Sequence, residues 1–222
     1  MLNLFFPKLC RGCDSELLAQ EAEICAYCRH QLPVTNIHST NSDEINKVFF
    51  GRVPVVNATA LLYFKKNGLT QKFVHALKYK GAVKLGNEFG KWLGSELGEI
   101  ESYQSVDAVI PIPLHKKKLR QRGYNQVEGF GKEIAAALSK PYIDDVLIKI
   151  TPTKSQVFKE RVARIFSQQE VFAVQNEEKI KGKHLLIVDD IITSGATLEA
   201  SASKLLKTEG VKLSFAAIAL TK

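Results

Sequence analysis

The sequence predicts an α/β fold, a parallel sheet with flanking helices, preceded by a small metal-binding module. Three observations predict it. Leu185 to Val188 is an unbroken apolar run that leads into Asp189-Asp190, a polar loop and a helical repeat, the pattern found at the carboxyl end of a parallel strand. Val106 to Pro113 is a second apolar run that also feeds a polar connection and a helix. All four cysteines of the 222 residues fall in two Cys-x₂-Cys pairs near the N-terminus.

The totals fit that organisation. The length suits one sizeable α/β domain plus a small module. A hydrophobic content of 45% and a charged content of 24% are ordinary for a globular chain. The net charge of +8 points to an anionic partner, either phosphorylated metabolites or nucleic acid. No apolar run approaches the roughly 20 residues of a membrane span. The apolar core of Met1 to Leu9 is too short for a secretion signal, so a cytoplasmic location is expected.

In chain order, Cys10, Cys13, Cys25 and Cys28 form two knuckles separated by eleven residues. Each turn supplies two thiolates, and four close a tetrahedral site, so a structural Zn²⁺ is expected. Disulfides are the alternative and belong to exported chains. A redox site needs only one such pair. Leu4, Phe5, Phe6, Ile24 and Tyr27 are the apolar residues available to pack around the metal, whose binding energy replaces a missing core. Residues 34 to 50, rich in Asn, Ser and Thr, read as a linker. The expected division is residues 1–50 for module and linker and 51–222 for the α/β domain.

Val53 to Phe64 is β-branched and aromatic and predicts one or two strands. Asn67-Gly68 marks a turn. Phe73 and Leu77 predict a short basic helix ending near Gly81, and Leu85, Phe89, Trp92, Leu93 and Leu97 a second helix. Gly86 to Lys91 imitates a phosphate-binding P-loop, with the wrong spacing and Trp92 where a hydroxyl is needed. After the strand Val106–Pro113 comes a basic loop, His115 to Arg122. Asn125 then opens a helix with Glu128 as its capping partner and Val127, Phe130, Ile134 and Leu138 as its buried stripe. Gly129 and Gly131 imitate a dinucleotide fingerprint but lie inside that helix. Asp145–Ile150 and Glu170–Val174 read as strands around a long connection, residues 151–168. Leu198, Ala202, Leu205 and Leu206 carry the last helix, with Gly210 placed as its C-cap.

The chemistry concentrates between Asp189 and Thr197. A loop entering a helix N-terminus offers backbone N–H groups and a positive dipole end. Gly195 lets backbone approach a ligand, and Thr193, Ser194 and Thr197 add hydroxyls, so a phosphate suits the loop. The two carboxylates would repel that phosphate and suit hydroxyls or Mg²⁺ beside it. A ribose 5-phosphate meets both demands. A response-regulator acidic pocket also follows a strand, but it belongs to the first strand of its domain. The basic loop ahead of Asn125 forms a second corner suited to pyrophosphate; a solvated basic cluster is the other reading.

Asp189-Asp190 with the Thr193, Ser194, Gly195, Ala196, Thr197 loop resembles the phosphoribosyl-pyrophosphate (PRPP) signature of type I phosphoribosyltransferases. Added to it are the Cys₄ knuckles, Pro111-Ile112-Pro113-Leu114, Arg122-Gly123-Tyr124-Asn125-Gln126 and the Gln156 to Arg161 segment. Together they resemble the ComF-like (competence protein F) family over nearly the whole chain. The resemblance implies a type I phosphoribosyltransferase fold with a PRPP site using Mg²⁺. Asp189 and Asp190 hold the ribose and act in catalysis, and the loop holds the 5′-phosphate. Arg122, Lys154 and Arg161 are the pyrophosphate and mobile-loop candidates, with Arg164 beside them. It implies pentosyl transfer from PRPP and a role in DNA uptake and natural transformation. The rival class is a non-catalytic PRPP sensor, or an adaptor for single-stranded DNA or a competence helicase, with Tyr79 and Tyr124 as stacking candidates.

Overall fold

The structure is a computed structural model that describes residues 7–40, 42–150 and 171–222. Its strands are β1 (Ala58–Phe64), β2 (Ala108–Pro111), β3 (Leu147–Ile150), β4 (Val171–Val174), β5 (His184–Ile192) and β6 (Lys212–Thr221). Four of them form a sheet in the order β1-β6-β5-β2, parallel at every pairing. β3 and β4 pair antiparallel in a separate two-stranded sheet. The helices are α1 (Ala26–His30), α2 (Ile37–Thr40), α3 (Glu44–Phe49), α4 (Leu69–Tyr79), α5 (Val83–Gly98), α6 (Glu101–Gln104), α7 (Lys116–Arg122), α8 (Glu128–Ala137) and α9 (Ala196–Leu205).

The sheet is covered on both faces, which is why its strands read as continuous apolar runs. Strand periodicity divides each run between two cores. Leu186, Val188, Ala216 and Ile218 face α4, α5 and α8, through Phe73, Leu77, Phe89 and Phe130. Leu185, Ile187, Phe215 and Ala217 face α3, α9 and the small sheet, through Phe49, Leu198, Leu205 and Phe172. β2 is an edge strand, which accommodates Pro111 at its end. Because β2 and β5 run parallel and in register, from Ala108 beside Leu185 to Pro111 beside Val188, their carboxyl ends open at the same edge.

Several expectations are corrected. Residues 34–50 are not a linker: α2 and α3 lie there, and Ile37, Ile45 and Phe49 are buried under the sheet. Their polar composition hid one apolar residue per turn. The strand expected from Val53 is confined to Ala58–Phe64. The basic loop is the helix α7, opened by His115 Nδ1 accepting from Lys117 N–H at 3.2 Å and closed by Gly123 at φ +83°. Lys, Leu, Arg and Gln are good helix formers, but no buried residue marks an apolar stripe. The helix expected at Asn125 begins at Glu128. Asn125 Oδ1 accepts from Val127 N–H at 3.3 Å ahead of the helix while its amide donates to the carbonyl of Ile112 at 3.0 Å, and Glu128 pairs with Lys132 rather than reaching back. The last helix stops at Leu205, before Gly210. β6, an apolar run in the middle of the sheet, was not among the expected strands. Tyr27 is exposed rather than packed on the module, while Ile24 is buried. Leu4, Phe5, Phe6, Lys154, Arg161 and Arg164 lie outside the described residues.

Candidate functional site

The acidic corner sits inside β5, not beyond its end. Asp189 and Asp190 are both buried, at 7% and 4% exposure. Consecutive residues of a strand point to opposite faces. Asp189 lines a small cleft of about 40 Å³ with Thr193, Ser194, Gly195, Ala196 and Thr197. The structure thus brings one of the two carboxylates together with the whole polar loop. Asp190 turns the other way, toward α4 and the residues before α8. The two are tied to each other by Asp190 N–H donating to Asp189 Oδ1 at 2.8 Å.

The loop is positioned by its own Gly195 and by Arg52, which the sequence did not flag. Gly195 adopts φ +76° at the N-terminus of α9, a left-handed conformation in which an L side chain is strained. Arg52 donates to the carbonyls of Val48 and Ser194, both at 3.0 Å, and pairs with Glu199 on the first turn of α9. The turn just past the segment read as a linker therefore holds the loop from below.

The basic half lies on the other side of β5. Asp190 Oδ2 accepts from Gln126 Nε2 at 2.9 Å and from Lys78 Nζ at 3.0 Å. Gln126 Oε1 in turn accepts from Arg122. Arg122 and Lys78 line a cleft of about 320 Å³ together with Lys118, Gln121, Tyr79 and Tyr124. The Arg122 guanidinium lies 5.8 Å from the Tyr79 ring centre. Tyr124 donates its hydroxyl to the carbonyl of Leu77, which fastens the end of α7 to α4. Of the sequence candidates for pyrophosphate, Arg122 is placed here. Lys78, which the sequence did not single out, and Gln126, named there only within the Arg122–Gln126 run, also line up here, each through tertiary packing.

The four cysteines converge. Their sulfurs all lie within 4.8 Å of one another. Cys13 Sγ and Cys25 Sγ are 3.7 Å apart, close to the edge of about 3.8 Å that a tetrahedron with bonds of about 2.3 Å requires. Backbone N–H groups of Gly12 and Cys25 point at Cys10 Sγ (3.4 and 3.3 Å), and that of Cys28 at Cys25 Sγ (3.4 Å). Donors so placed favour thiolates. A hydrogen bond from Ser15 lowers the Cys13 thiol to about 6, while burial pushes Cys28 up. All four cysteines are free thiols, so the donor set fits one four-coordinate ion. Cys10, Cys25 and Cys28 share a core with Phe73, Leu77 and Phe89, so the module is built onto α4 and α5.

Comparison with protein families matches residues 128–222 to the phosphoribosyl transferase domain. The matched residues contain β5, the acidic corner, its loop and β6. Those residues carry a phosphoribosyl transferase domain, and the parallel sheet between helices is the type I fold. Among curated proteins it is 25% identical over 201 residues to competence protein ComFC of Bacillus subtilis (strain 168), covering 90% of this chain and 78% of that one. It is 25% identical over 137 residues to DNA utilization protein YhgH of Escherichia coli O157:H7, covering 60% of each. It is 28% identical over 107 residues to competence protein F of Haemophilus influenzae, covering 48% of this chain and 46% of the other. The chain thus spans about half to three quarters of the length of these relatives. The chain is similar to these competence and DNA-utilization proteins, the ComF type that its motifs resemble.

Proposed function

We propose that this chain binds PRPP with Mg²⁺ at the carboxyl ends of β5 and β2, and that it is a phosphoribosyltransferase-type protein serving DNA uptake or utilisation. The observation that carries the reading is the convergence of Asp189 with the Thr193–Thr197 loop at the start of α9, beside a cleft of cations. The amino end of α9 and the loop hydroxyls take the 5′-phosphate. Asp189 accepts from the ribose hydroxyls. Arg122 and Lys118 take the pyrophosphate, and Lys154 and Arg161 are the loop candidates for closing over it. If pentosyl transfer occurs, positive charge develops at C1 as pyrophosphate leaves, and the carboxylates of β5 temper it. Bound Mg²⁺ would supply charge neutralisation on the leaving group. Cys10, Cys13, Cys25 and Cys28 hold a structural Zn²⁺. The names of the relatives, competence and DNA utilization, support the cellular role.

Calorimetric titration of PRPP with Mg²⁺ tests the site. Replacing Asp189 and Asp190 together by Asn keeps their size and removes charged acceptors worth about 1.5–3 kcal/mol each. The affinity is expected to fall at least about tenfold, since one decade is about 1.4 kcal/mol. Wild type that ignores PRPP, or a double variant that binds it equally well, would refute the reading.

A second reading, a binding adaptor for single-stranded nucleic acid, is favoured by one observation. A cleft of about 580 Å³ between the first knuckle and α4 carries Arg11, Lys72, His75 and Lys80, with Asp14 as its acidic group. His75 packs against Tyr79 with ring centres 4.8 Å apart, so an aromatic ridge separates this cleft from the one holding Arg122. Single-stranded DNA should bind with a log–log salt slope of about −0.7 per phosphate neutralised. Arg11→Ala with Lys80→Ala should flatten that slope. Binding indifferent to salt, or a double variant with an unchanged slope, would exclude this cleft as the path.

A further inference from the structure

Asp190 joins the two halves of the site. It is buried and its Oδ2 takes two donors, Lys78 Nζ and Gln126 Nε2. Gln126 passes the connection on to Arg122. One carboxylate therefore holds two of the three cations of the cleft, Lys78 directly and Arg122 through one amide. The third, Lys118, lines the same cleft. The Lys78 side chain is 25% exposed against 6% for Asp190, so the ammonium stands between the carboxylate and the open cleft.

That placement gives Lys78 two possible anions. An ammonium carries three protons on a flexible stem and can turn from one acceptor to another. With the cleft empty of anions, Asp190 is its partner. A di- or polyphosphate entering the cleft presents more charge than one carboxylate and draws the ammonium outward. Asp190 then keeps only the Gln126 amide on Oδ2. A buried carboxylate deprived of its cation favours a new donor or a cation. A divalent ion held with ribose at Asp189, the preceding residue and tied to Asp190 through the Asp190 N–H, would favour that charge across the strand.

We propose that Lys78 is a positioning cation shared between the two half-sites, so that a polyphosphate in the Lys78–Lys118–Arg122 cleft and a ribose 5-phosphate at the β5 corner strengthen each other's binding. The inference rests on the reading of the β5 corner as the PRPP site. Linkage requires the effect to be reciprocal. Without a shared group, two phosphate-bearing ligands would repel each other and bind with negative coupling.

The experiment is a pair of calorimetric titrations on the full chain in Mg²⁺. Ribose 5-phosphate is titrated with and without saturating methylene diphosphonate, a non-hydrolysable pyrophosphate analogue, and the order is then reversed. Wild type should show at least fivefold tighter binding in both orders. Lys78→Met keeps the stem and removes the charge; its coupling factor should fall to one or below. Lys78→Arg should retain coupling of more than twofold. Mere loss of attraction in Lys78→Met would weaken the diphosphonate and leave the coupling factor unchanged, which overturns the proposal. Ribose 5-phosphate binding in wild type with no coupling overturns it as well, and leaves the PRPP reading standing. Absence of ribose 5-phosphate binding in wild type overturns both. Should Lys78→Met fail to fold by circular dichroism, the wild-type coupling and its retention in Lys78→Arg decide.

Discussion

Gly195 shows how one residue answers two demands. Its φ of +76° calls for glycine, and a Cβ there would lie 2.8 Å from Phe49 Cε1 and 2.9 Å from Val48 Cγ1. In sequence this glycine suits the approach of a phosphate; the structure adds the floor beneath the loop, made by Val48 and Phe49 of α3. Gly195→Ala should therefore cost about 1–3 kcal/mol, from strain and overpacking, in the absence of any ligand. Urea unfolding without phosphate checks this, and an unchanged midpoint would refute it. Asp189 and the loop were legible in the sequence because they are contiguous, and one strand-to-helix turn assembles them. Lys78, Gln126 and Arg52 were not. Their roles exist only once α4, the turn before α8 and the end of α3 are folded against β5. A lysine in a basic helix looks like solvated surface until its acceptor is known.

The same contrast holds for whole elements. The long apolar stripes of α5 and α8 and the run of β5 were read correctly as to kind. α7 has no apolar stripe and reads in sequence as a basic loop, and α2 and α3 are too short to show a period and read as a linker. Two of the glycines that imitate nucleotide motifs, Gly90 and Gly129, find their cause in the contact between α5 and α8, while Gly131 abuts Tyr142 and Val188. A Cβ on Gly90 would come within 2.5 Å of the Phe130 carbonyl oxygen, and one on Gly94 within 2.9 Å of Ala137 Cβ. On the α8 side, a Cβ on Gly129 would meet Asn87 Oδ1 at 2.5 Å. The two helices approach closely enough to need bare backbone. Gly90→Ala should cost about 1–3 kcal/mol, because the clash is with main chain that cannot turn aside. A variant as stable as wild type in thermal unfolding would show that the helices part freely.

For the molecule as a whole, the cysteine cluster is part of the framework rather than an appendage. Three of its thiols share a core with α4 and α5, and Lys72 donates to the carbonyl of Gly12 at 3.0 Å across the same contact. Cys25→Ser should lose the metal and lower the melting temperature of the whole chain by more than about 10 °C, taking about 2–4 °C per kcal/mol for a chain of this size. Metal analysis and calorimetry check this; wild type without zinc, or a variant melting with wild type, would count against it. Among the described residues no helix is long and apolar enough to cross a membrane. The order of the sheet has a further consequence. β6 lies between β1 and β5, and Ala58 finds its partner only at Phe215. β1 and β5 each keep a bare edge of amides that nothing seals until the stretch from Lys212 onward is in place between them. Until that stretch is in place the chain is most open to pairing with a neighbour, so truncation ahead of Lys212 should turn soluble product into aggregate.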